Sequence, residues 1–187
     1  MVEVVLGIIR IIPRRAGLSV MRALGFILYY FMPERRRVAL INLDIAFGEE
    51  KTPYRKARIA RASFQNSLAL LFDFLKVPQL SLKEREAIVT IEGEERLKEA
   101  LGKGCGVLAV SAHYGNFLLL LCCLGLKGYP LHVVTRHFRS ERLEGVYTGI
   151  LSRFGVSTFP RRHEAANILK ALKNGAIVGY VLDQNMR

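Results

Sequence analysis

The second half of the chain alternates short apolar runs with helical segments, and this alternation constrains the fold more than any other feature. The predicted strands are residues 88–91, 106–111, 131–135, 156–159 and 176–182, and the predicted helices are 94–100, 115–126, 141–154 and 163–173. This spacing predicts βαβ units, and therefore an α/β fold with a mostly parallel sheet flanked by helices. Most of the strands are continuous apolar runs, as expected when helices cover both faces of the sheet.

Helices are predicted ahead of this alternating region. Residues 38–47 form one helix, and a second begins at Thr52-Pro53, where Thr52 can cap the helix and Pro53 suits its first turn. We therefore divide the chain into an apolar helical segment (residues 1–33), a helical region (34–87) and an incomplete α/β core (88–187). The core is expected to be incomplete because a central-type strand, 176–182, has no helix after it, which indicates either a fragment or a core that a partner completes.

The N-terminal segment is apolar with scattered arginines. Residues 16–32 carry Arg22 as their only charge, but 17 residues fall short of the roughly 20 that cross a bilayer. We expect an anchor that lies in the membrane interface or inserts on a tilt, with Arg35, Arg36 and Arg37 against anionic headgroups. The alternative is a buried amphipathic hairpin of a soluble domain.

The net charge of +12 favours an anionic partner, and a nucleic acid, an anionic membrane and an acidic carrier protein all fit it. Nucleic acid is disfavoured because the N-terminus is apolar and few aromatic residues accompany the basic runs. No metal is predicted, because metal-ligand spacing is missing among the candidate side chains Cys105, Cys122, Cys123, His132, His137 and His163. No organic cofactor is predicted either, and the glycine-rich residues 102–106 are not a nucleotide site because they precede a strand instead of opening a helix.

The sharpest motif is residues 111–117, Ser-Ala-His-Tyr-Gly-Asn-Phe. It places His113 at the carboxyl end of an apolar strand, just before Gly115 and Asn116 turn into a helix. The start of a helix offers unpaired N–H groups, so a base would lie beside donors for an oxyanion, as acyl transfer to an alcohol requires. Asp183 also follows an apolar strand, and ligands of such sheets bind beyond the carboxyl strand ends. A structural histidine that caps the helix is the alternative.

This motif resembles the His-x-Gly-Asn signature of the lipid A biosynthesis (lauroyl/myristoyl) acyltransferase family. Four further blocks resemble that family in the same order, and the resemblance covers essentially the whole chain. They are Arg36-Arg37 with Asn42-Leu43, the strand-end Arg136, Arg153 in an Arg-x-Gly block, and Asp183-Gln184-Asn185.

The resemblance implies a membrane-bound acyltransferase with a glycerolipid-acyltransferase-like fold, at the inner (cytoplasmic) membrane with its active site facing the cytoplasm. Acyl carrier protein would donate the acyl chain, and a hydroxyl of a lipid A precursor or related glycolipid would accept it. His113 and Asp183 would be catalytic. The substrate would contact Gly115, Asn116, Arg136, Arg153 and Gln184.

The sequence departs from the family pattern in two places. Leu118 stands where the family has an acid that orients the histidine, and the family continues well past its Asp-Gln block. We therefore expect weak activity unless another acid, with Asp183 the nearest candidate, supports His113. A glutamate at position 118 is expected to reach back towards the imidazole. The alternative function is a catalytically impaired or inactive fragment that only binds membrane or lipid.

Overall fold

The computed structural model describes residues 2–135, 138, 140–160 and 165–183, and the chain divides into two units, residues 1–79 and 80–187. The first unit is helical. Thr52 and Pro53 start its longest helix as expected, because the Thr52 hydroxyl accepts a hydrogen bond from the Arg55 N–H. Its helices are α1 (Val2–Ile11), α2 (Arg14–Phe31), α3 (Pro33–Phe47) and α4 (Pro53–Lys76), followed by a 3₁₀ turn at Val77–Gln79.

Glycines allow α2 to pack closely against α4. A Cβ atom on Gly25 would lie 2.5 Å from the Cα atom of Gln65, and one on Gly17 would overlap the Phe72 ring. Both glycines are buried. The first unit is thus built on this helix pair, so residues 1–33 and 34–79 share one unit; the boundaries predicted after residues 33 and 87 stay predictions.

A different side of α2 is exposed and apolar. Val20, Leu24, Ile27 and Phe31 recur at helical spacing, and each is at least two-fifths exposed. We call these four residues the α2 stripe. Within the described residues, no single helix is both long and apolar enough to cross a membrane. Taken together, α2 and α3 meet that criterion by length and composition, with a bend of 92° between them.

The second unit contains a sheet of four parallel strands in the order β1-β4-β2-β3, flanked by helices. This arrangement confirms the predicted α/β fold class. The elements are α5 (Leu82–Ile88), α6 (Glu94–Gly102), β1 (Val107–Ser111), α7 (Phe117–Leu126), β2 (Leu131–Thr135), α8 (Glu141–Arg153), β3 (Val156–Pro160), α9 (Ala165–Lys173) and β4 (Ile177–Val181).

The strand predicted at residues 88–91 is wrong. Helix α5 occupies residues up to Ile88, and residues 89–91 pair with no strand in the described part of the chain. A helix is favoured over a strand here because Ser81 and Glu84 form a capping box. In this box each side chain accepts a hydrogen bond from the backbone N–H of the other residue. A short apolar run does not by itself distinguish a strand from the end of a helix.

Helices cover both faces of the sheet. On one face, α9 packs through Ala171 on Val178, with Phe159 and Tyr180 beside them. On the other face α7 approaches Val156, because a Cβ atom on Gly125 would come within 2.8 Å of that side chain. Val156 and Phe159 are three positions apart on β3 and so point to opposite faces. The fully buried Val178 reflects this two-sided cover.

Candidate active site

The strand order brings His113 and Asp183 together. Strands β1 and β4 are neighbours, and Ser111 at the end of β1 lies opposite Val181 at the end of β4. The Leu182 N–H donates to the Ser111 carbonyl, which carries the pairing one residue further. His113 and Asp183 each stand two residues beyond their strand, so they meet at the carboxyl edge of the sheet, where we expected them.

Asp183 holds the histidine through two hydrogen bonds. Its Oδ2 atom accepts from the backbone N–H of His113 at 3.0 Å, and its Oδ1 atom lies 2.7 Å from Nδ1 of the imidazole. These hydrogen bonds to His113 lower the pKa of Asp183 below its ordinary value, and the side-chain bond has the larger effect. Asp183 is therefore a carboxylate near neutral pH, and a neutral imidazole beside it carries its proton on Nδ1.

This arrangement leaves Nε2 of His113 as the basic nitrogen. The side chains of His113 and Asp183 are 37% and 36% exposed, so an incoming hydroxyl can reach them. Phe117 braces the imidazole, with the two rings edge to face and their centroids 5.0 Å apart. Sequence analysis did not predict this role of Phe117. The residue lies four positions after His113 and directly after the turn, and this position could have indicated the contact.

The turn after His113 starts a helix beside the imidazole. Gly115 has a φ of +55°, a conformation that favours glycine, and Asn116 caps α7 by accepting a hydrogen bond from the Leu119 N–H. The first N–H groups of a helix have no acceptor within the helix. The N-terminus of α7 therefore supplies N–H donors and a positive dipole end next to His113, as the sequence predicted.

Leu118 is part of the hydrophobic core. Its side chain is 8% exposed, and it is buried together with its neighbour Leu119 and with Cys122 one turn later. The carboxylate that orients the imidazole comes instead from Asp183, two residues after β4. With leucine at position 118, Nδ1 of His113 therefore still has a carboxylate partner.

Only some of the other residues predicted to contact the substrate lie beside His113. Gly115 and Asn116 adjoin the His113–Asp183 pair, whereas Arg136 and Gln184 lie outside the described residues. Arg153 is not brought to the site, which corrects our expectation. It ends α8, just before β3 begins, and so lies at the amino edge of the sheet. A five-residue strand, roughly 17 Å long, separates the two edges.

His132 has a structural position. Its ring stacks on Phe159 with centroids 4.7 Å apart, and burial lowers its pKa. His137 and His163 lie outside the described residues. Where side chains are described, no group of three or more histidine, cysteine, aspartate or glutamate residues is arranged to hold a metal ion.

Comparison with known families decides the assignment. The model of the family described as bacterial lipid A biosynthesis acyltransferase matches residues 1–187, the full length of the chain. The chain belongs to this family. It is accordingly an acyltransferase of the lipid A biosynthesis type. No curated protein matches the chain. Acyl transfer to an alcohol is served by a base and by donors for an oxyanion, and a histidine–carboxylate pair beside a helix N-terminus can supply both.

Proposed function

We propose that this acyltransferase moves a fatty acyl chain from acyl carrier protein to a hydroxyl of a lipid A precursor or a related glycolipid. We place it at the inner face of the cytoplasmic membrane. The observation that carries the proposal is the 2.7 Å contact between His113 Nδ1 and Asp183 Oδ1 at the carboxyl edge of the sheet.

In the proposed mechanism, Nε2 of His113 takes the proton of the acceptor hydroxyl. The resulting oxygen nucleophile attacks the carbonyl carbon of the acyl thioester, and the C–S bond breaks. The imidazolium then returns its proton to the departing thiolate. Asp183 stabilises the imidazolium while it exists and holds the ring in the productive tautomer. The N–H groups at the start of α7 stabilise the oxyanion.

The membrane part of the proposal is supported by the α2 stripe. Exposed apolar surface of this kind marks an interaction site, and a helix with one apolar face can lie in the interface between headgroups and hydrocarbon. The basic residues Arg35, Arg36 and Arg37 lie near the start of α3, soon after this helix, where they suit anionic headgroups.

The test is acyl transfer by the full chain in detergent, with an acyl carrier protein thioester as donor and a lipid A precursor as acceptor. His113→Gln removes the base and should lower the rate by at least about 10²-fold. His132→Gln is the matched histidine control away from the site, and rates are compared at equal folded fractions measured by thermal melting. An unchanged rate for folded His113→Gln would overturn the proposal.

A further inference from the structure

Four aromatic side chains of the helical unit pack together on one side of α2. Phe26 and Tyr30 have ring centroids 5.3 Å apart, Tyr29 and Tyr30 are 5.1 Å apart, and Tyr29 and Phe64 are 5.6 Å apart. We call these residues the aromatic cluster. Tyr29 is buried, whereas Phe26 and Tyr30 are 41% and 50% exposed. The cluster thus has a buried base and an exposed rim.

Two arginines lie on this cluster. The guanidinium of Arg36, from α3, is 5.5 Å from the centre of the Tyr29 ring, and that of Arg61, from α4, is 5.3 Å from the centre of the Phe26 ring. At these distances the positive charge is attracted to the face of the ring. Two arginines that are 25 positions apart in sequence, on α3 and α4, therefore each contact a ring of the same aromatic cluster.

Neither arginine has a carboxylate partner among the described residues. Other cations of the same unit do: Arg14 donates two hydrogen bonds to Asp73, and Lys56 pairs with Asp44. The N–H donors of a guanidinium lie in its plane and match the oxygens of a phosphate two at a time. Arg36 and Arg61 are therefore positioned by the rings and still have donors for an anion.

The surroundings identify the kind of anion. Residues 1–79 contain 13 basic and 6 acidic residues, so the unit carries a charge of +7 and attracts anionic surfaces. The rim of the aromatic cluster also continues into the α2 stripe, since Tyr30 follows Ile27 by three positions and so neighbours it on the helix surface. A ligand that covers both features needs a phosphate and a hydrocarbon chain.

We propose that Arg36 and Arg61, held over the aromatic cluster, bind the phosphate of an anionic phospholipid whose acyl chains contact the α2 stripe. This inference rests on the membrane association proposed above and names its lipid class and its residues. A nucleic acid or an acidic protein supplies the negative charge but leaves the α2 stripe exposed to water.

The test is flotation of the full chain with phosphatidylcholine vesicles, with and without phosphatidylglycerol. Removing both charges in Arg36→Gln/Arg61→Gln should weaken binding to the anionic vesicles by about 30-fold. Arg10→Gln/Arg55→Gln removes the same charge outside the cluster and should weaken it by much less. Arg36→Lys/Arg61→Lys keeps the charge but loses the paired donors, so it should also bind weakly. Thermal melting checks that each variant is folded.

Several outcomes would overturn the inference. Equal losses of vesicle binding in Arg36→Gln/Arg61→Gln and Arg10→Gln/Arg55→Gln would mean that net charge alone attracts the protein. Full binding by Arg36→Lys/Arg61→Lys would mean the same. Displacement from vesicles by inorganic phosphate, or by a DNA oligonucleotide, in a manner that depends on Arg36 and Arg61 would assign the site to that ligand. A full chain that binds neither kind of vesicle would also refute the proposed membrane association.

Discussion

His113 donates to one carboxylate from two of its own groups, the backbone N–H and the imidazole. Both bonds end on Asp183, so the loop after β1 and the loop after β4 are tied together at the point where chemistry is proposed. A carboxylate that fixes backbone and ring at once constrains the imidazole more than a single hydrogen bond does. We therefore expect substitutions of Asp183 to affect catalysis more than stability, since the pair lies near the surface.

The burial of Leu118 changes the expectation for Leu118→Glu. A glutamate here would place a carboxylate at a core position whose present side chain is only 8% exposed, while Nδ1 of His113 already has Asp183 as its partner. We predict a loss of about 3–5 kcal/mol in the free energy of unfolding and no gain in rate. Leu118→Met, which conserves volume, should cost less than about 1.5 kcal/mol.

Denaturant unfolding and the acyl-transfer rate at equal folded fractions check this prediction. A stable Leu118→Glu variant that is faster than the parent chain would show that position 118 faces the imidazole after all. Asp183 would then be only one of two orienting acids.

At the scale of elements, the packing of α7 depends on Gly125. A Cβ atom there would lie 2.0 Å from the carbonyl oxygen of Phe154, a backbone atom that cannot easily move. Gly125→Ala should therefore destabilise the protein by about 1–3 kcal/mol or more, measured by denaturant unfolding. The matched control is Gly145→Ala in α8, where the new methyl group meets nothing within 4 Å. It should stabilise the protein by up to about 1 kcal/mol. Equal effects of the two substitutions would refute the close approach.

A second prediction concerns Glu94, at the start of α6. Hydrogen bonds from Lys127 and then Tyr129, both at 2.8 Å, lower the pKa of this carboxyl from 4.5 to about 2. A lowered pKa in the folded state means that the carboxylate contributes stability above pH 4.5, and that this contribution is lost as the pH falls towards 2. Thermal melting between these pH values should therefore show a smaller acid-induced decrease for Glu94→Gln than for the parent chain. Parallel pH profiles would contradict the assignment.

At the scale of the whole molecule, the proposed attachment of the exposed α2 stripe to a membrane predicts which treatment releases the chain. Charge attraction is screened by salt, whereas burial of apolar surface is not. After cell fractionation, most of the full chain should stay with the membranes in high salt and be released by detergent. Release by salt alone would indicate a purely electrostatic attachment, as for a nucleic-acid binder or a peripheral basic protein.

Much of this molecule could be predicted from sequence, because local patterns determine much of it. The apolar runs that became β1, β2, β3 and β4 and the cap at Thr52 are readable one segment at a time. The position of β4 beside β1 cannot be read from the sequence in this way, since no local pattern encodes strand order. The contact between His113 and Asp183, 70 positions apart, depends on that order. Sequence analysis did not find the arginines on the aromatic cluster for the same reason. The rings and the two arginines come from three helices, α2, α3 and α4.

The central claim is that His113 and Asp183 act as one catalytic unit, and a double-mutant cycle on the acyl-transfer rate tests it most directly. Asp183→Asn keeps the shape of the side chain but removes the charge that holds the imidazole, and the related serine protease change costs about 10⁴-fold. We predict a large loss for Asp183→Asn and for His113→Ala, and no further loss when the two are combined, because residues that act as a unit are not additive. Full activity of folded Asp183→Asn, or losses that multiply in the double variant, would contradict the account.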